Sequence, residues 1–293
     1  MKDFKKQLLR IAFTLTIVAI AVLLGRMLWV RYMDSPWTRD GRVRADIVNV
    51  ASDVSGLVTE VLVKDNQFVH KGDLLFKIDE ERYRHTLAQT QALVYQRRVM
   101  LEMKRSQSKR RDVLDNEVIS QELREDSDLF SASAKAEYDQ AAAERDHAKL
   151  NVVRTAVLAP VDGWVSNLLV RPGDYAQAGA AKLAIIDQKS FWVYGYFEEH
   201  KLKLIHIGDP AEIRLLGSDQ RLYGHVESIA RGITDRDNPT DVRLLANVNP
   251  SFNWVRLAQR VPVRIKLDAI PKELILVAGM TCSVVVKQAQ QLK

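Results

Sequence analysis

The rhythm of apolar and polar positions changes along the chain, and each change predicts a different element. Ile11 to Gly25 carries no charge, and extending to Val30 gives 20 residues interrupted only by Arg26. At about 1.5 Å per residue such a helix crosses a hydrocarbon core of ~30 Å. The run therefore predicts a transmembrane anchor containing Ile11, Leu24 and Trp29, with residues 1–34 as cytoplasmic tail and span. Lys2, Lys5, Lys6 and Arg10 precede it and favour a cytoplasmic N-terminus, against the weight of Arg26, Arg31, Arg39, Arg42 and Arg44 on the other side. Leu28-Trp29-Val30-Arg31 follow where a signal peptide would carry a small-x-small cleavage site, so an uncleaved anchor is expected.

From Asp73 to Ala159 the chain has neither Gly nor Pro, 87 residues in a row. Residues 80–154 hold 14 charges of each sign, while Leu87, Val94 and Leu101 recur every seven, as do Ala134, Ala141 and Ala148. Small apolar seams on charged helices predict a two-helix coiled coil. A break near Leu114 to Ser120 makes it an antiparallel hairpin about 50 Å tall. Ser120 is a suitable N-cap for the second arm, with Glu122, Glu125 and Asp126 in its first turns.

The segments on either side of this insertion repeat one another. Ala51-Ser-Asp-Val-Ser-Gly56 and Ala159-Pro-Val-Asp-Gly163 each open an alternating apolar run, and a second glycine follows at Gly72 and Gly179. Both glycine pairs are 107 residues apart. Each copy reads as a short β unit between structural turns at Gly56, Gly72, Gly163 and Gly179, able to bury its apolar face only against the other copy.

Beyond the second copy, alternation or β-branched and aromatic content predicts strands at Phe191–Phe197, Ala211–Leu215, Gly224–Ile229, Val261–Leu267 and Thr281–Val286. Glu198 to Ile207 reads as a short helix ended by Gly208. A small barrel fits this pattern, with an N-terminal strand near Arg42 to Val50 contributing. Pro262 places its strand at an edge.

Charge and chemistry narrow the function. Residues 1–44 hold nine Lys/Arg and three Asp/Glu, which accounts for the whole net charge of +6 and leaves the remainder neutral. A basic nucleic-acid face is thereby excluded. Cys282 is the single cysteine, so no internal disulfide or cysteine-rich metal cluster is available. The chain lacks G-x-S-x-G, a phosphate loop and H-E-x-x-H, and its six histidines share no ligand spacing. Asp235-Arg-Asp-Asn-Pro-Thr-Asp241 starts like a calcium loop but has Thr240 at the turn glycine and Ala246 at the closing glutamate. No catalytic residue, cofactor site or metal site is expected, and the chain reads as a non-enzyme.

Val-Ser-Gly56, Val-x-Lys-Gly72, a helical hairpin and Ala159-Pro-Val-Asp-Gly163 together resemble the split biotinyl/lipoyl-like domain of periplasmic adaptors, the HlyD-type membrane fusion proteins. Ser35-Pro-Trp-Thr-Arg39-Asp, Asp65-Asn66-Gln67, Phe191 to Glu199 and Asn253 to Arg264 are similar to the adaptors of aromatic-acid efflux pumps. The resemblance implies a mainly β fold with an α-helical coiled-coil hairpin, built from an N-terminal transmembrane helix, a split lipoyl-like domain (48–79 plus 155–187), the hairpin (80–154) and a small β-barrel (35–47 plus 188–293). It implies a single-pass inner-membrane protein with its bulk in the periplasm. Its partners would be an inner-membrane aromatic-acid exporter, an outer-membrane channel and further copies of itself. True carriers present a modified lysine at the turn where the half-motifs meet; the insertion occupies that place, so no cofactor is expected, and a membrane-tethered lipoyl or biotinyl carrier is the alternative. Some adaptors engage the channel through an Arg, a Leu four later and a Ser seven after that at the hairpin tip. Arg110 and Leu114 match, and Ser120 falls one residue short.

Overall fold

The computed structural model describes residues 2–29, 35–113, 120–218, 220–233, 258–271 and 274–287. They divide into two units, Met1–Asp46 with Ser190–Lys293, and Ile47–Lys189.

The first unit holds helix α1 (Lys2–Trp29) and a six-stranded barrel. Leu24 is exposed, as are the other α1 side chains described, 13–27; those of Ile11 and Trp29 lie outside the described set. Among the described residues no helix is long and apolar enough to cross a membrane. The barrel strands are β1 (Trp37–Arg44), β10 (Trp192–Glu198), β11 (Pro210–Leu215), β12 (Arg221–Ile229), β13 (Arg260–Leu267) and β14 (Thr281–Val286). Their order, β1-β10-β13-β12-β11-β14, closes through antiparallel β14–β1 pairing. Alternation fills the interior: β14 and β10 bury every second residue, and Val43, Val193, Phe197, Ile213, Val226, Val263, Ile265 and Val284 are wholly buried. A Cβ on Gly41 would meet Cys282 Sγ at 2.6 Å, so the small residue makes room for the large ones of a narrow barrel. Burial pushes the Cys282 thiol up to about 12, leaving it protonated and inert.

Two expectations change here. The N-terminal barrel strand is Trp37–Arg44, whereas Ile47–Ala51 belongs to the other unit. Pro262 is not on an edge strand, because β13 lies between β10 and β12 in a closed barrel. The proline is tolerated because its carbonyl accepts from Ala230 N–H, just beyond the last β12 residue. Backbone N–H and C=O of one strand residue point the same way, so the missing donor faces the place where the β12 ladder has run out.

The second unit contains β2 (Ile47–Ala51), β3 (Gly56–Val61), β4 (Phe68–Val69), β5 (Leu74–Ile78), α2 (Glu81–Asp112), α3 (Gln121–Arg154), β6 (Ala156–Leu158), β7 (Gly163–Ser166), β8 (Tyr175–Ala176) and β9 (Ala181–Asp187). Its two sheets run β2-β9-β7-β4 and β6-β5-β3-β8. Shifting the first copy by 107 residues converts one sheet into the other. Each sheet takes two strands from each copy, so neither copy has a sheet of its own.

The same shift maps the hydrogen bonds. Gly72 N–H donates to Ala159 O and Gly179 N–H to Ser52 O, at 2.8 and 2.9 Å. Asn66 N–H donates to Val165 O and Gly173 N–H to Val58 O, and both donors have positive φ, 62° and 93°. Between the sheets lies one core of Val58, Val69, Leu75, Phe76, Val165 and Ile185. At about 25 cal/mol per Å² this shared burial is what holds the two halves of an interrupted domain together.

Candidate functional site: the hairpin and its tip

The hairpin leaves the sandwich after β5 and returns at β6, and its base is fastened. Tyr83 Oη donates to Ser55 O at 2.7 Å, Arg82 to the same carbonyl at 3.0 Å, and Arg154 pairs with Asp53 at 3.3 Å. Ile78 N–H donates to the buried Thr155 carbonyl at 2.9 Å.

Between the helices runs a seam with residues buried at intervals of seven: Leu101 and Ser108 on α2, and Ser127, Ala134, Ala141 and Ala148 on α3. Arg97–Glu137 and Ser108–Asp128, the latter 2.7 Å, fix the register. The seam changes character along its length. Alanines and Leu101 fill it through its middle, while buried Ser108 and Ser127 take their place near the tip, where packing contributes less. The charges are also segregated, nine Lys/Arg to three Asp/Glu on α2 and five to eight on α3.

At the tip α2 ends at Asp112 and α3 begins at Gln121. Ser120 is the N-cap of α3, extended at φ −67° and ψ 151°, and its Oγ accepts from Leu123 N–H at 3.4 Å. Arg110 is exposed, with Nε donating back to Ser106 O at 3.2 Å. It lines an open groove of about 580 Å³ with Arg105, Lys109, Glu102 and Val113. Three cations against one carboxylate make this face of the tip basic. Leu114 lies outside the described residues, as do residues 235–246.

Of the glycines expected at turns, Gly72 and Gly179 have φ of +95° and +79°. Gly56 and Gly163 instead begin strands β3 and β7, and proximity is their constraint. A Cβ there would lie 2.6 Å from Ile78 Cγ2 and 2.1 Å from Ile186 O respectively. Sequence reasoning missed the serine layer, although it can be read at the seven-residue spacing it used; the run of cations Lys104, Arg105, Lys109, Arg110 and Arg111 ahead of the acids that follow was already legible in the sequence.

An interrupted sandwich of intertwined halves, a helical hairpin inserted between them and a separate closed barrel define a periplasmic adaptor, or membrane fusion protein. The chain belongs to that family, a family of adaptors rather than enzymes: residues 46–188 match the RND MFP barrel-sandwich hybrid domain, and residues 190–287 match the AAEA-like beta-barrel domain. A relative, the uncharacterized protein YdhJ of Escherichia coli (strain K12), is 42% identical over 275 residues, covering 94% of this chain and 96% of its own. Two solved structures share the fold. The membrane fusion protein Spr0693 from Streptococcus pneumoniae R6 is 17% identical, covering 87% of this chain and 99% of its own, with a TM-score of 0.63. A MacA-MexA chimera containing the Pseudomonas aeruginosa MexA α-hairpin domain is 21% identical, covering 87% and 83%, with a TM-score of 0.60.

Proposed function

We propose that the chain is the adaptor of an efflux assembly for aromatic carboxylic acids, joining an inner-membrane exporter to an outer-membrane channel. Residues 1–34 are its cytoplasmic tail and anchor, the rest is periplasmic, and the hairpin tip around Arg110, Leu114 and Ser120 meets the channel. The observation that carries this reading is the hairpin itself. It projects by about 50 Å from a sandwich that fastens its base, and its tip presents a basic face. Arg110 and Leu114 fit the spacing by which adaptors engage a channel, and Ser120 serves the tip by capping α3.

Assembly with further copies is supported by a second stripe on each arm. Met103 and Arg110 follow the seam residues Leu101 and Ser108 by two positions. Leu129, Ala136, Ala143 and Leu150 follow Ser127, Ala134, Ala141 and Ala148 in the same way. Two positions are about 200° of helix, so these exposed residues face away from the seam. A basic α2 arm beside the acidic α3 arm of the next copy, with these largely apolar stripes between them, is a head-to-tail contact that repeats around a ring.

The test is a deletion strain challenged with aromatic acids, together with affinity capture of the full chain from crosslinked membranes. Tolerance lost in the deletion strain and restored by the chain, together with recovery of an exporter subunit, is expected. Normal tolerance without the chain, or capture lacking any exporter, refutes the proposal.

A further inference from the structure

Three separate parts of the chain, 37–40, 196–201 and Arg260, meet in one groove of the barrel, of about 460 Å³. That is the scale of a small-molecule site. Its walls include Trp37, Arg39, Tyr196, Lys201 and Arg260.

Lys201 is only 9% exposed, and a single carboxylate, Glu198, is paired with its ammonium among the described residues. Its contacts are Glu198 Oε2 at 3.3 Å, the Trp37 carbonyl at 3.4 Å and the Trp37 ring, whose centre is 5.3 Å away. Charge-assisted hydrogen bonds are normally about 2.7–2.9 Å, and an ammonium has three donors to place. Desolvating a lysine this far calls for a closer anion. Arg39 is exposed, lies 5.5 Å from the Trp37 ring centre and makes no ion pair among the described residues. Arg260 is already engaged by Asp40 at 2.7 Å.

We propose that this groove binds a small aromatic carboxylate. Arg39 and Lys201 take the two carboxylate oxygens, and Trp37 and Tyr196 supply aromatic surface for the ring. Arg39, Lys201 and Arg260 face two carboxylates, Asp40 and Glu198. That single excess charge suits a monoanion, whereas the same two carboxylates repel a phosphate dianion. A guanidinium fork matches a carboxylate in plane, and a ring edge completes the aromatic contact. That the ligand is exported cargo rests on the efflux reading above; that the groove holds it does not.

Isothermal titration of the full chain in neutral detergent at pH 7.5 tests the site, with benzoate as ligand and benzyl alcohol, acetate and inorganic phosphate as comparisons. One saturable benzoate site per chain is expected, with each comparison compound at least about tenfold weaker. Arg39→Gln and Lys201→Met are expected to weaken benzoate by at least about tenfold. Arg39 is on the surface, so its variant keeps the parent melting temperature even if Lys201→Met unfolds. Equal or tighter phosphate binding would mean a general anion or lipid-headgroup site and overturns the proposal. So does benzoate binding untouched by Arg39→Gln, or none at all. Absent binding beside normal export removes the groove alone; normal export without the chain removes the efflux reading and leaves the binding result standing.

Discussion

Gly56 and Gly163 occupy the same place in the two halves of the sandwich, yet adding a methyl group should harm them unequally. At Gly163 the new Cβ would lie 2.1 Å from the Ile186 carbonyl oxygen, 2.9 Å from its carbon and 3.0 Å from Ile185 Cγ2. Two of these atoms are backbone of β9, the strand paired directly with β7, and cannot rotate away. Reaching an ordinary contact requires the strands to separate by more than about 1 Å, which breaks ladder hydrogen bonds in addition to overpacking the core. Gly163→Ala should therefore destabilise the unit by about 3 kcal/mol or more. At Gly56 the sole obstruction within 3 Å is the Ile78 Cγ2 methyl, and Asp79 O is 3.9 Å away. Ile78 is a core residue that must shift its rotamer, so Gly56→Ala should cost about 1–2 kcal/mol. Gly72, at φ +95° with nothing within 4 Å, isolates the backbone effect and should cost about 1 kcal/mol as alanine. Thermal melts of the full chain followed by near-UV circular dichroism read the order, at about 2–4 °C per kcal/mol. Gly163→Ala within about 0.5 kcal/mol of the parent, or less harmful than Gly56→Ala, would refute the close-approach argument.

Glu212, 7% exposed, is held below the usual carboxylate range first by its hydrogen bond from Arg214, then by Lys287 and the charge of Arg221, against its burial. A depressed folded value gives stability present above the unfolded carboxylate range and lost as pH falls through the folded one. Barrel stability should drop as pH falls below the usual carboxylate range in the parent, and Glu212→Gln should remove about 1–3 kcal/mol at neutral pH and flatten that drop in pH-dependent denaturation. Leu114→Asp is expected to change stability by less than about 0.5 kcal/mol while reducing channel copurification, with Arg110→Glu acting the same way by under about 1 kcal/mol. Met103→Glu puts an acid into the exposed outer stripe of α2, and gel filtration and crosslinking should show fewer higher oligomers with unchanged helix content.

Much of the second unit was legible because its signals are local or periodic. The stretch without Gly or Pro announced two helices, and the common offset of Gly56/Gly163 and Gly72/Gly179 announced a repeat. Apolar alternation reveals which face of a strand is buried but not its neighbour, so the exchange of strands between the copies was hidden. Asn66 stands where the second copy has Gly173, and only the shared positive φ reveals the equivalence. The Pro262 expectation failed because a closed barrel still has strand ends where a ladder stops, which serve a proline as an edge would. The barrel groove joins Trp37, Tyr196 and Arg260, far apart in sequence, and each alone looks like an ordinary surface residue.

The central claim is that the hairpin tip reaches an outer-membrane partner, and site-specific photo-crosslinking in cells tests it most directly. A photoreactive residue replacing Val113, 87% exposed at the end of α2, should form an adduct with an outer-membrane channel. The same group replacing exposed Thr59 on β3 of the sandwich should form none with that channel. A folded, exporting chain that yields no outer-membrane adduct from Val113, or equal channel adducts from both positions, would contradict the account.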